Sequence, residues 1–136
     1  MDTEITKVGI VSCSGEDRPE GTLCRLACRR VLDELRPNEA VTICLPLFIA
    51  GGEEERGFAS KHPTITVDGC DKMCAAKATE ALSGKPSQAL LIPEILKKHG
   101  LTAPVGRRNY GPNEEPAVNA VAEEIAKAVD KIREKA

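Results

Sequence analysis

The chain has 136 residues, enough for one domain with its own core, and a net charge of −2, which supplies no basic field to draw it onto nucleic acid or anionic lipid. Aromatic residues are only 2% of the sequence, with no tryptophan, so the core is aliphatic and alanine-rich, and the composition argues against a stacking platform for single-stranded nucleic acid. No apolar run approaches the roughly 20 residues of a membrane span. The acidic start Met1-Asp2-Thr3-Glu4 also lacks the regions of a signal peptide, so the expectation is a soluble cytoplasmic protein. In a reducing compartment, six cysteines point to metal ligands, reactive thiols or buried small hydrophobes rather than a disulfide framework.

In chain order, Lys7 to Ser12 is a short apolar run typical of a strand buried on both faces, ending at Cys13-Ser14-Gly15. A polar loop follows. Thr22 to Arg36 then has helical period, with Leu23, Ala27, Val31 and Leu35 as its apolar ridge and Pro37 as its stop. Ala40 to Leu45 reads as a second strand carrying Cys44, and Leu47 to Gly52 as a turn. Glu53-Glu54-Glu55 open a short helix, the acids suiting its N-terminus. Thr64 to Val67 is a third strand, whose alternating threonines predict one less buried face.

Asp71 to Leu82 is predicted as the next helix, with Cys74, Ala78, Ala81 and Leu82 on its apolar side. Gln88 to Ile92 is a fourth, strongly apolar strand, and Pro93 to His99 a short helix closed by Gly100. Leu101 to Pro112 is a Gly- and Pro-punctuated loop. Asn113 to Lys135 is a long amphipathic helix with Val118, Val121, Ile125, Val129 and Ile132 as its buried stripe. No repeat or linker divides the chain, so residues 1–136 are expected to form a single domain with its C-terminal helix at about 113–135.

This alternation predicts an α/β fold of three layers: a Rossmann-like, mostly parallel sheet of about four strands with helices on both faces. Ligands of such sheets bind beyond the carboxyl ends of the strands. Cys13, Cys44 and Cys70 each follow a strand, and Cys74 lies four residues past Cys70, a spacing that puts two thiols on one face of a helix start. Thiolates there gain from the partial positive charge of the helix N-terminus. Convergence at one edge predicts a tetrahedral site of four thiolates, Cys13, Cys44, Cys70 and Cys74, with zinc as the metal such donors favour. Backbone N–H groups at Ser14, Gly15 and Gly69 are candidates to disperse its charge.

Cys24 and Cys28 fall in the apolar arc of a crossover helix and read as core. Two enzyme motifs do not fit. A phosphatase loop needs five residues between its cysteine and arginine, where Cys13 and Arg18 have four and enclose two acids. A thioredoxin-like site needs C-x-x-C, where both close pairs are C-x3-C. Arg107 and Arg108 read first as solvated surface residues, and as an anion-binding pair if their loop folds over the strand ends.

At Cys13-Ser14-Gly15, Cys44, Asp68-Gly69-Cys70 and Cys74, the chain resembles the DGC-domain family, proteins described as zinc-binding. The resemblance spans roughly Val8 to Leu101 and implies that Cys13, Cys44, Cys70 and Cys74 are the metal ligands; Cys24 and Cys28 stand outside the family pattern. It implies a site rather than an activity. The expected function is zinc binding, in the service of metal or sulfur handling. The alternative is a thiol/disulfide or persulfide redox enzyme without a permanent metal.

Overall fold

The computed structural model describes residues 7–13, 19–102 and 115–135. Four strands, β1 (Val8–Ser12), β2 (Ala40–Ile43), β3 (Thr64–Asp68) and β4 (Gln88–Leu91), form one parallel sheet in the order β2-β1-β3-β4. Register is set by the pairs Val11–Ile43, Ser12–Val67 and Val67–Leu90. Six α-helices accompany them among the described residues: α1 (Pro19–Arg30), α2 (Leu45–Ile49), α3 (Glu53–Lys61), α4 (Cys74–Leu82), α5 (Ile92–Lys98) and α6 (Glu115–Lys135). The α1 ridge runs on through a π-helical turn, Val31–Leu35, before Pro37. This is the expected Rossmann-like α/β architecture.

Helices α1 and α6 pack on one face of the sheet, and α4 packs on β3 from the other. The core between them is aliphatic. Leu23, Ala27 and Val31 from the first ridge meet Val118, Val121, Ile125 and Val129 from α6 over Ile10, Ile65 and Val67. Polar ties fasten α6 to the α1 region: Arg36 makes a bidentate pair with Asp130 at 2.7 Å, and Arg30 reaches Asn119 and Glu115.

Three local readings are corrected. The threonine face of β3 is not half-exposed; Thr64, Thr66 and Asp68 are all buried, because α4 covers them. The stretch after Cys44 is not a turn but the short helix α2, which Pro46 opens from its first turn, where a missing N–H costs nothing. Helix α4 begins at Cys74 rather than Asp71. Its buried residues are Ala75 and Thr79, whereas Cys74, Ala81 and Leu82 face outward. The other elements fall within a few residues of their predicted bounds, including α5, closed by Gly100 at φ 67°.

Candidate functional site

The strand order fixes where a site can form. The chain leaves β1 toward β2 on one side, whereas β3 leads to β4 on the other. Neighbouring strands whose connections diverge leave a crevice at their carboxyl ends, the topological switch point where open α/β sheets bind ligands. Here it lies between the ends of β1 and β3. Cys13 follows β1, and Asp68-Gly69-Cys70 closes β3. Cys44 ends β2 next door, and Cys74 opens α4 on the same rim.

Each residue of the Asp68-Gly69-Cys70 turn has its own geometry. Asp68 is 1% exposed, and its carboxylate accepts the N–H of Ala75 at 2.8 Å and of Ala76 at 3.1 Å. These are the orphan donors of the first turn of α4. Met73, the residue at the cap position, has no side-chain oxygen to offer and sits in left-handed backbone at φ 53°. Asp68 therefore caps α4 from the end of a strand. Burial pushes its carboxyl above the usual carboxylate range, and the two amides pull it back.

Gly69 is required by a close approach. A Cβ there would stand 3.0 Å from the carbonyl carbon and oxygen of Glu20 in the first turn of α1. Its N–H donates to the Cys13 sulfur at 3.3 Å. One backbone amide thus joins the end of β3 to the thiol that follows β1.

Cys70 is half-buried, in a turn closed by the Met73 N–H donating to the Cys70 carbonyl at 3.1 Å. Cys70 and Cys74 are therefore not two positions on one helical face, as their spacing predicts. Cys70 belongs to the turn and Cys74 is the first helical residue, because the remote cap starts α4 late. Cys74 and Cys44 are exposed, and Cys13 is buried. The four thiols occupy one rim without being drawn together. Among the described residues, no group of three or more His, Cys, Asp or Glu side chains is arranged to hold a metal ion.

Cys24 and Cys28 are buried in the core, as expected, but Cys24 also reaches the rim. Its S–H donates to the Val67 carbonyl at 3.2 Å, and its sulfur lies 3.2 Å from the Ser12 hydroxyl. Hydrogen bonding with Cys24 and then burial push the Cys13 thiol far above the ordinary thiol range, with the Gly69 amide pulling it down. For Cys24 the bond to Cys13 lowers and the bond to Cys28 and burial raise, leaving it well above that range. Both sulfurs are held as thiols.

Sequence reasoning placed Cys24 in the core, where it lies, but did not foresee the contacts of its sulfur with Ser12 and Val67. The available signal was distance. Cys24 lies five residues past the start of α1 at Pro19, about 7.5 Å along the axis from the rim.

The remaining candidates lie elsewhere. His62 stacks on Phe58 at 4.2 Å, and His99 closes α5 and pairs with Glu124 at 2.9 Å. Arg107, Arg108, Ser14 and Gly15 lie outside the described residues. No helix among the described residues is long and apolar enough to cross a membrane.

Neither a curated protein nor a solved structure matches the chain significantly. The profile of the DGC domain matches residues 9–132, from the second residue of β1 to near the end of α6, so the chain belongs to the DGC-domain family.

Proposed function

We propose that this chain is a zinc-binding domain of a reducing, cytoplasmic compartment, with Cys13, Cys44, Cys70 and Cys74 as the ligands and metal or sulfur handling as its service. The carrying observation is the Gly69 N–H on the Cys13 sulfur at 3.3 Å, at the switch point of the sheet. It ties together the two loops that hold Cys13 and Cys70, and supplies the backbone donor that a metal-bound thiolate needs. The donor set fits the metal by chemistry. The rim offers soft sulfur, and its buried carboxylate is already committed to α4.

Cys13 would give its proton to water on ligation, and the exposed Cys44 and Cys74 and the half-buried Cys70 would turn inward. Zinc bound there would act as a Lewis acid and hold the three loops in one arrangement. Protein purified without added metal is expected to contain close to one zinc per chain by elemental analysis. Cys70→Ser should lose it, and Cys28→Ser should keep it. A metal-free wild type, or equal loss in Cys28→Ser, overturns the assignment.

The thiol/disulfide or persulfide reading has one observation in its favour: the Cys24 sulfur lies 3.2 Å from the hydroxyl of Ser12, the residue just before Cys13. Against it, side-chain hydrogen bonding and then burial hold both sulfurs as thiols, and a buried thiol is a poor nucleophile. Fast alkylation of Cys13 in metal-free protein would reverse this ranking.

A further inference from the structure

Strand β4 is the edge of the sheet beyond β3, and among the described residues no strand pairs with its outer side. Alternate N–H and C=O groups along Gln88–Leu91 therefore face away from the sheet without a strand partner. The start of this strand is bracketed by two cavities, one on each face of the sheet. On the α4 face, a cavity of about 460 Å³ has Met73, Ala76, Lys77 and Glu80, a stripe at helical spacing, as one wall, and Lys85 and Ala89 as the other. On the α6 face, a cavity of about 230 Å³ is lined by Lys131 and Ile132. Ser87 and Gln88 line both. Cavities on the two faces of one edge match what an added strand presents, because its side chains point alternately to either face.

Charge selects the occupant. Lys77, Lys85 and Lys131 are exposed, and none makes an ion pair among the described residues. Glu80 is the only acid among the residues lining the two cavities. A chain of net charge −2 thus carries a local excess of cations at this edge. Pairing of β4 with a second copy would bring these lysines together, and edge lysines oppose such pairing. An acidic strand would instead meet the opposite sign.

We propose that the β4 edge binds an extended acidic segment of a partner protein by strand addition. The backbone of the segment continues the sheet past β4. Every second side chain is acidic and enters the α4-side cavity, its methylenes on Met73, Ala76 and Ala89 and its carboxylate toward Lys77 or Lys85. The intervening side chains are apolar and lie on Ile132 and the stem of Lys131. The edge is only four residues long, so charge supplies a large share of the affinity and salt weakens it.

The probe is a capped, fluorophore-labelled hexapeptide alternating Glu with Val, and its binding to the full chain is read by anisotropy at low salt. One control peptide alternates Lys with Val. The other is the Glu and Val peptide N-methylated at every residue, which keeps its charge but has no N–H to donate. The first peptide is expected to bind, more weakly as salt rises, and the controls are not. Lys77→Ala and Lys85→Ala should each weaken binding about threefold, the scale of one exposed ion pair, and together about tenfold. Hydrogen exchange of the β4 amides should slow in the complex, while that of β2, the opposite edge, should not.

No binding of the Glu and Val peptide overturns the proposal. Equal binding of either control peptide overturns it without recourse to a variant. Unchanged affinity in the double lysine variant, or protection of β2 in place of β4, also overturns it. Dimerisation of the chain through β4 does so in favour of a second copy.

Discussion

At the scale of single residues, Asp68 shows how a strand end can govern the helix beyond it. Both carboxylate oxygens are used, one on each amide, in a site almost closed to water. Asp68→Ala leaves two donors unpaired and should destabilise the fold by about 2 kcal/mol, since each buried orphan donor costs about 1–3 kcal/mol and water entering the gap recovers part. Asp68→Asn keeps one acceptor oxygen and should lose roughly half as much. Chemical denaturation of the two variants measures this, and an Asp68→Ala protein as stable as wild type would contradict the capping role. Residue type allowed either Asp68 or Asp71 to cap this helix start; the structure uses Asp68, the one three residues further back.

At the scale of elements, the β3–α4 interface carries an uncompensated cost. The hydroxyls of Thr66 and Thr79 are buried with no hydrogen-bond partner among the described residues. Val has the same shape without the polar atom, so Thr66→Val and Thr79→Val should each stabilise by about 1 kcal/mol. That corresponds to a rise of about 3–5 °C in melting temperature for a chain of this size. Unchanged or lower melting temperatures would show that the hydroxyls are satisfied. The same interface explains a misreading. Alternating Thr with Ile and Val looks like a half-solvated strand, but the covering helix buries the threonines of β3 as deeply as its aliphatics. A strand's own pattern does not report what packs on it. The stripe of α6 did report its partner, because its apolar residues recur over the whole helix and only one face could be buried.

For the molecule as a whole, α6 is held at its middle and C-terminal part by charge. Its Glu124 faces Lys98 and His99 of the α5 end, and Asp130 faces Arg36. The His99 hydrogen bond and then Lys98 hold the Glu124 carboxyl below its usual range, and Arg36 does the same for Asp130. Carboxyls depressed by folding contribute stability that is fully present above their unfolded values, 4.5 and 3.8, and is lost as pH falls through the folded ones. Asp68, raised by burial, acts in the opposite sense. Melting temperature should therefore hold steady from neutral pH and fall below about 4.5. Glu124→Gln with Asp130→Asn should start lower and fall less steeply. Parallel curves for the two proteins would show that these pairs do not govern the acid limb.

The layered architecture was legible in the sequence because short apolar strands alternate with amphipathic helices. The rim position of Cys13, Cys44, Cys70 and Cys74 was legible because each follows a strand or starts the next helix. The order of the strands, and hence the switch point beside Cys13, was not. It depends on which faces the crossover helices choose, and no single segment encodes that.

The Asp68-Gly69-Cys70 turn carries one more consequence. Its aspartate is consumed by a helix start and its glycine by the nearness of another helix. A protein without the proposed zinc site would still keep those two letters to build the same corner. Only the third letter belongs to that proposal. Relatives sorted by the first pair would be sorted by architecture, and those lacking the final cysteine are where the proposed metal binding should be absent.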